Sequence, residues 1–298
     1  MQRRSRWIRG LVAVLVVGLL VLGAILGWLK WHEDELVFAT ALSHARTNGQ
    51  IPADAEKLTI PGAAGAPLAA IIFRAETSHD SGFWVLHFHG NAESAFSDTQ
   101  LRHCHNLTSL GLNVLAFDYR GFGLSAGVAS ETHMDEDAEA AYAELRRRGV
   151  PSDRIILWGH SLGSGPAVFL ASERPAAALV LFGAFTSLPD AAAATYPYLP
   201  VRWLVSVQFN SLKLMPALHT AVLIAHTADD ALIPIQEGKR LYAAANEPKQ
   251  LLILNGPFTD GFGGHVDGLY DRLDLLAPEL AGLIGASAVG ISDAVVSR

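Results

Sequence analysis

The sequence predicts an α/β fold with a mainly parallel, doubly wound sheet and helices on both of its faces. After residue 51, short apolar runs alternate with longer amphipathic ones, the pattern of strand–helix–strand units. The run at 83–88 is almost continuously apolar, as expected for a strand buried on both faces. Half of the 298 residues are apolar and 17% are charged, so a large core is readily filled. The length fits one large domain with an appendage, or two small domains.

The first 31 residues predict a short tail followed by a transmembrane anchor. Four arginines lie within the first ten residues, and the stretch 11–29 is uncharged and almost wholly apolar. A helix of that length rises about 28 Å, close to the ~30 Å hydrocarbon core of a bilayer. Trp28 and Trp31 suit the membrane–water interface. A cleaved signal peptide is the alternative, but the stretch lacks the small residues of a cleavage site.

The charges on either side of this stretch predict its orientation. Arginines precede it, whereas Glu33, Asp34 and Glu35 follow it. An excess of basic residues marks the cytoplasmic side, so we expect a cytoplasmic N-terminus, with the rest of the chain on the periplasmic or extracellular side. The net charge of −7 and the clustering of basic residues at one end argue against nucleic-acid binding. A single cysteine, Cys104, excludes an intrachain disulfide.

A helical or irregular connector is predicted at 32–50, followed by a domain at 51–285. The predicted strands lie at 57–60, 68–73, 83–88, 113–117, 155–158, 178–182, 221–225 and 250–254, the first two being antiparallel. The predicted helices lie at 94–110, 134–148, 166–171, 235–245 and 266–283.

Residues 186–218 interrupt this alternation of strands and helices. A long insertion above the strand ends predicts a small lid that shapes a substrate pocket. The alternative is a loop packed for its own sake. The last residues, 286–298, are weakly patterned and predict a tail outside the domain.

The stretch 155–171 carries the most specific chemical signal. A strand leads into Gly159-His-Ser161-Leu-Gly163, and an apolar helix follows at once. In this setting G-x-S-x-G places a serine on a strained turn whose neighbours two residues away lack side chains. We expect the turn to expose the Ser161 hydroxyl and to aim the Leu162 N–H at the same space. The alternative is a chance pattern in a chain with 27 glycines.

A serine hydroxyl becomes a nucleophile when a base takes its proton and a third group orients that base. After such a turn, the partners are a carboxylate following a later strand and a histidine following the last strand. Asp229 and Asp230 both follow the strand at 221–225, and His265 lies in a glycine-rich loop after the last strand. His87 and His89 alternate on one strand, but no further ligand cluster accompanies them. We therefore predict neither a metal nor a cofactor.

The motifs along residues 57–283 resemble those of the α/β-hydrolase superfamily. They occur in order as His89-Gly-Asn-Ala92, Asp118-Tyr-Arg-Gly-Phe-Gly123, Gly159-His-Ser-Leu-Gly163, His226…Asp230…Pro234 and Gly264-His265. Within the superfamily, the chain looks like the small membrane-anchored serine hydrolases with a His-Gly-Asn-Ala motif. Some of those relatives are assigned acyl-protein thioesterase, lysophospholipase or peptidase-like activity.

The resemblance implies a role for each member of a catalytic triad. Ser161 matches the nucleophile, and His265 matches the general base and acid. Asp230, rather than Asp229, matches the orienting carboxylate because of its spacing from His226 and the following proline.

The resemblance also implies that the backbone N–H groups of Asn91 and Leu162 form the oxyanion hole. Relatives often continue His-Gly-Asn-Ala with a glycine, where this chain has Glu93. A carboxylate near an oxyanion is unfavourable, so we expect that of Glu93 to point away.

Taken together, these features predict a membrane-anchored serine hydrolase that cleaves lipid-like carboxylic esters or thioesters through an acyl-enzyme. An aminopeptidase or amidase of the same fold is one alternative. Residues 186–218 are short for such a cap, and Asp190 is their only acidic residue. A non-catalytic membrane-anchored binding protein is the other alternative, although every triad position is filled.

Overall fold

The computed structural model of the protein describes residues 2–285, so the predicted tail at 286–298 lies outside the described residues. Within them an eight-stranded sheet has the order β1-β2-β4-β3-β5-β6-β7-β8. The strands are β1 (Glu56–Pro61), β2 (Pro67–Phe73), β3 (Trp84–Phe88), β4 (Asn113–Phe117), β5 (Ile155–His160), β6 (Ala178–Phe182), β7 (Ala221–Thr227) and β8 (Lys249–Leu254). Strand β2 is antiparallel to both neighbours, and β3 to β8 are mutually parallel. The predicted mainly parallel sheet is confirmed.

Helices cover both faces of this sheet. They are α1 (Gln2–Trp31), α2 (Glu33–Val37), α3 (Thr40–Ala45), α4 (Asp98–Thr108), α5 (Glu131–Arg147), α6 (Ser164–Glu173), α7 (Leu188–Thr195), α8 (Val201–Leu204), α9 (Ser211–Leu214), α10 (Ile235–Ala244) and α11 (Leu273–Ile284). In β5, Leu157 joins the apolar layer beneath α5, α6 and α10, whereas Ile156 and Trp158 join the layer beneath α4 and α11. The strand is therefore buried on both faces, as a parallel sheet requires.

Four of the five predicted helices begin at a different residue, α6 at 164 rather than 166, and the other three shifts have a local reason. Ser97 accepts the N–H of Gln100 and starts α4 at residue 98 rather than 94, and Ser130 likewise starts α5 at 131. The prediction of a helix from 266 was wrong, because α11 begins at Leu273. The carboxylate of Asp260 accepts the N–H of Val266 at 2.8 Å and holds that segment as a loop.

Helix α1 is long and apolar enough to cross a membrane. Its stretch Arg9–Trp31 has a mean hydropathy of 2.8, and none of its most apolar window is buried. Just after α1, the Glu33 carboxylate accepts the Ser206 hydroxyl at 2.6 Å and the Val207 N–H at 3.1 Å. The end of α1 is thereby tied to the segment at 186–218.

The segment at 32–50 packs closely on the sheet domain through α2, α3 and the residues between them. Phe38 is 1% exposed and meets the rings of Phe122 and Phe209 edge-on, with centroids 6.3 and 6.4 Å away. The Ser43 hydroxyl donates to the carbonyl of Glu93. Apolar burial and hydrogen bonds thus join this segment to the loops above the strand ends.

Candidate active site

Ser161 occupies a strained turn at the end of β5. Its φ is +51°, in the left-handed region that a side chain disfavours. A Cβ on Gly163 would lie 2.2 Å from the Phe88 carbonyl oxygen, and one on Gly159 would lie 2.7 Å from the Cα of Ser164. Glycine is required on both sides because the backbone approaches too closely for any side chain.

Ser161, His265 and Asp230 come together at the carboxyl edge of the sheet. Nε2 of His265 lies 2.9 Å from the Ser161 hydroxyl oxygen, and Nδ1 lies 2.7 Å from a carboxylate oxygen of Asp230. The residues follow β5, β8 and β7, which all lie on one side of the sheet, with β6 between β5 and β7. The adjacent Asp229 is exposed.

The charge on Asp230 determines which ring nitrogen of His265 carries the proton. Burial raises the pKa of Asp230, but hydrogen bonds with His226 and His265 outweigh burial and hold this pKa well below its usual value. Its other oxygen accepts the N–H groups of residues 232 and 233 at 2.9 and 2.8 Å. Because an ionised carboxylate only accepts hydrogen bonds, Nδ1 of His265 carries the proton. The lone pair on Nε2 therefore faces the Ser161 hydroxyl.

His265 is buried and neutral in this environment. Burial lowers its pKa, the hydrogen bond to Asp230 raises it, and the nearby His160 lowers it again, so the pKa lies below the usual value. The Asp260 carboxylate accepts the N–H groups of Phe262, Gly264 and residue 266 and shapes the loop that carries the imidazole. A neutral imidazole at neutral pH can accept a proton.

Asn91 is clamped by the connector between α2 and α3. Its amide donates to the Val37 carbonyl at 2.7 Å, and its side-chain oxygen accepts the Ala39 N–H at 2.9 Å. The backbone N–H of Asn91 has no acceptor among residues 2–285. The Leu162 N–H lies in the first turn after Ser161, where helical N–H groups lack acceptors in their own helix. Both residues line the same cavity as the serine.

Glu93 is buried between the loop after β3 and the turn of Ser161. Its carboxylate accepts the Gly90 N–H at 2.7 Å and lies 3.4 Å from Nδ1 of His160. Burial raises the pKa of Glu93, but the nearby charge of His160 pulls it far below normal. Burial lowers the pKa of His160, yet Glu93 raises it above its usual value. The two side chains form a buried ion pair, and this carboxylate is directed at Gly90 and His160.

Asp118 braces the loop after β3 against the loop after β4. Its carboxylate accepts the N–H groups of Ala95 and Leu124 at 2.7 Å each, and the Ser94 hydroxyl at 3.1 Å. Arg120 binds Asp137 at 2.7 Å and thus has a structural role at this turn. The Asp-Tyr-Arg-Gly-Phe-Gly motif therefore supports the loop on which Asn91 lies.

Two cavities meet at Ser161. One, of about 530 Å³, is mostly apolar and is lined by Leu29 of α1, Leu36 of α2 and Leu188, Leu199 and Leu204 of the segment at 186–218. The other, of about 610 Å³, has more polar side chains in its lining, among them Arg46, Asn48, Asp98, Asp260 and Asp267, and we call it the polar cavity. In the part of the chain that the structure describes, no group of three or more His, Cys, Asp and Glu side chains could hold a metal ion. The serine hydroxyl thus lies where an apolar chain and a polar group of one molecule would meet.

Sequence reasoning missed several residues that build this site. His160 occupies a variable position of G-x-S-x-G, so the motif carries no signal for it. Asp260 and Asp267 belong to no motif of the sequence, yet Asp260 shapes the loop of His265, and Asp267 accepts hydrogen bonds from Arg102 and His103 at 2.7 Å each. Glu33 served only as evidence for membrane orientation. Each of these roles depends on contacts between distant parts of the chain.

A serine on a strained strand-to-helix turn, facing a His–Asp pair across the carboxyl edge of a parallel sheet, is the arrangement typical of α/β-hydrolases. Residues 83–216 match the family described as serine aminopeptidase, S33. The chain is 35% identical over 249 residues to the uncharacterized protein Rv2307c of Mycobacterium tuberculosis, covering 83% of this chain and 87% of that protein. The chain belongs to the α/β-hydrolase superfamily.

Two further relatives agree with this assignment. The chain is 34% identical over 203 residues to lysophosphatidylserine lipase ABHD12 of Danio rerio, covering 60% of this chain and 52% of the lipase. It therefore spans about half the length of that relative. Among solved structures, the Pyrococcus furiosus esterase Pf2001 has a TM-score of 0.60 at 21% identity, covering 78% of this chain and 93% of the esterase. The family and these relatives support a hydrolase.

Proposed function

We propose that this protein is a membrane-anchored serine hydrolase that cleaves carboxylic esters or thioesters of lipid-like substrates through an acyl-enzyme. The observation that carries the proposal is the hydrogen-bonded series Ser161–His265–Asp230. Its serine opens onto an apolar cavity of about 530 Å³. No cofactor or metal enters the proposed mechanism.

In the first step, the Ser161 oxygen attacks the carbonyl carbon of the substrate while Nε2 of His265 takes its proton. The carbonyl oxygen becomes an oxyanion and accepts hydrogen bonds from the N–H groups of Asn91 and Leu162. Asp230 keeps the imidazole in the required tautomer and stabilises the imidazolium that forms. Fixed N–H donors of this kind lower the barrier by about 3–4 kcal/mol each.

In the second step, the tetrahedral intermediate collapses and His265 gives its proton to the leaving alcohol or thiol. The acyl group remains on Ser161 as an ester. Water then attacks this ester while His265 takes a proton from it, and collapse releases the carboxylic acid and returns the proton to the serine.

The two cavities support a substrate with one apolar chain and one polar group. The apolar cavity is of the size that small-molecule sites usually have and would hold the acyl chain. The polar cavity would hold the leaving group. A lysophospholipid, the substrate class in the name of the ABHD12 relative, has this form.

An aminopeptidase function would need a free carboxylate to bind the amino terminus of its substrate. The carboxylates of the polar cavity are already engaged. Asp260 accepts backbone N–H groups, Asp267 accepts hydrogen bonds from Arg102 and His103, and Asp98 accepts the Gln50 N–H. This favours ester or thioester substrates.

Helix α1 provides the proposed membrane anchor. Its apolar stretch has the length of a bilayer core, and the arginines before it favour a cytoplasmic N-terminus under the positive-inside rule. The hydrolase domain would then lie on the periplasmic or extracellular side. An alkaline-phosphatase fusion after His32 should be active, and an inactive fusion would contradict this orientation.

Fluorophosphonate labelling of the full-length protein tests the nucleophile. The probe should label the wild type and fail to label Ser161→Ala, and turnover of a short-chain ester should fall on the order of a million-fold. Ser172→Ala, near the C-terminal end of α6, is the matched control and should keep both the labelling and the turnover. A folded wild type that does not label would instead support the non-catalytic alternative. Turnover of esters with acyl chains of increasing length would then show how long a chain the apolar cavity accepts.

A further inference from the structure

Large aromatic and aliphatic side chains are exposed next to the end of α1. Tyr198 is 97% exposed, Trp203 is 91% exposed and Trp31 is 86% exposed, and Leu199 is also exposed. We call these four residues the lid face. Exposed aromatic rings in such a group mark an interaction surface rather than an ordinary solvated one.

The lid face is fixed relative to α1 by polar contacts. The carboxylate of Glu33 accepts the Ser206 hydroxyl at 2.6 Å and the N–H groups of Ser206 and Val207. The ammonium of Lys30 pairs with Glu33 at 2.6 Å and reaches the carbonyl of Leu204 at 3.5 Å. Trp203 is therefore one residue away from a contact with the last turn of α1, the turn that carries Trp31.

The apolar cavity joins the lid face to Ser161. Leu29 of α1 lines the cavity together with Leu199, which belongs to the lid face. Leu204, beside Trp203, lines it as well. An acyl chain lying beside the end of α1 would thus meet apolar side chains along the way to the serine.

We propose that the lid face lies in the interfacial layer of the same bilayer that α1 spans, and that the apolar cavity receives its acyl chain directly from that bilayer. The inference rests on the proposed anchor and hydrolase function. The structure favours a bilayer as the partner of the lid face, because the apolar stretch of α1 ends within one turn of the contact between α1 and the segment at 186–218. Tyrosine and tryptophan, with an apolar ring and a polar tip, prefer this layer.

A site-specific fluorophore tests the membrane contact without relying on catalysis. The chain has one cysteine, Cys104, which is buried, and burial raises its pKa to about 12, so it does not react. Full-length Trp203→Cys and, as a control on strand β8, Ile253→Cys are labelled with an environment-sensitive dye. Each is then reconstituted into vesicles of phosphatidylcholine and phosphatidylglycerol.

The dye at position 203 should be blue-shifted, quenched by a lipid-borne quencher and protected from aqueous iodide. The dye at position 253 should be open to iodide. Equal access of iodide to both positions would overturn the membrane contact. This result stands whether or not the protein hydrolyses an ester.

A paired activity assay tests the route of the acyl chain. Tyr198→Ser with Trp203→Ser should lower hydrolysis of a long-chain ester embedded in vesicles by about tenfold or more, because two apolar anchors leave the bilayer. Hydrolysis of a soluble short-chain ester should stay at the wild-type rate. Tyr198→Phe with Trp203→Leu keeps the apolar surface and should retain both activities.

An equal loss of activity on both esters would show that the lid face affects the active site itself. That result would overturn the proposed entry of the acyl chain from the bilayer. A wild type that hydrolyses neither ester would contradict the proposed function. In that case the quenching result still decides where the lid face lies.

Discussion

The carboxylate of Glu93 and the imidazole of His160 form a buried ion pair, 3.4 Å apart, beside His265. Glu93 also accepts the Gly90 N–H, and Nε2 of His160 donates to the backbone carbonyl of His265 at 2.8 Å. Phe182 stacks on the His160 ring with a centroid distance of 5.2 Å. The pair therefore connects the loop before Asn91 to the loop that carries the proposed general base.

Glu93→Gln should move the pH dependence of catalysis upward. The glutamine still accepts the Gly90 N–H but no longer holds a proton on His160. The charge of His160 lowers the pKa of His265, so neutralising His160 lets the pKa of His265 rise. The acid limb of kcat/KM for a short-chain ester should shift to higher pH. Glu144→Gln, a buried carboxylate on α5, is the control and should leave the limb in place.

The wild-type enzyme should lose activity only below the usual pKa of histidine. Protonated His265 cannot take the serine proton, and burial holds its pKa below the ordinary value of 6.5. We therefore expect kcat/KM to be constant near neutrality and to fall through a midpoint below 6.5. Initial rates with a short-chain ester across this range measure the midpoint. A midpoint above 6.5, or a flat profile down to about pH 5, would argue against His265 as the base.

Asp230→Asn should lower kcat by about ten-thousandfold without unfolding the protein. An asparagine oxygen still accepts the N–H groups of residues 232 and 233, so the loop is retained. Its amide donates toward Nδ1 of His265 and places the imidazole proton on Nε2, which then cannot accept from Ser161. Asp229→Asn changes the exposed neighbour and should leave kcat unchanged. Similar losses in both variants would refute the assignment of Asp230.

Much of this site was predictable from the sequence because its residues belong to local motifs in a fixed order. Gly159 and Gly163 are required by close backbone approach, so the pattern around Ser161 reports three-dimensional geometry directly. The resemblance to α/β-hydrolase motifs, through the spacing after His226, favoured Asp230 over Asp229. The short apolar runs predicted the parallel sheet correctly, because a strand that is buried on both faces needs apolar residues at nearly every position.

The remaining parts depend on contacts that no local pattern encodes. Phe38 packs on Phe122 and Phe209, far away in sequence, so its burial leaves no periodic signal. The region after 266 has the apolar pattern of a helix, but the carboxylate of Asp260 competes for its N–H groups and keeps it in a loop. Tertiary contacts here override local propensity.

Asn91→Ala should lower kcat with little change in KM. The Asn91 side chain holds the loop by its bonds to Val37 and Ala39, and its loss lets the proposed oxyanion donor move. Partial loss of one donor should reduce kcat by roughly tenfold to a hundredfold, less than the full loss of such a donor. Asn106→Ala on α4 is the control. Steady-state kinetics on a short-chain ester would contradict the role if KM alone rose.

Phe38→Ala should destabilise the folded domain by about 3–5 kcal/mol, because truncating a buried phenylalanine removes apolar contacts and leaves a cavity. Phe38 is almost wholly buried among aromatic rings, whereas Leu36, two residues earlier, is exposed. Leu36→Ala is therefore the matched control, and its stability should stay within about 0.5 kcal/mol of wild type. Denaturant unfolding of the full-length protein in detergent measures both. Equal stabilities would mean that the segment between α1 and the sheet is a loose tether. A large loss at Phe38 alone would mean that helix α1 is joined to the hydrolase core through a packed element, as the position of the lid face beside α1 requires.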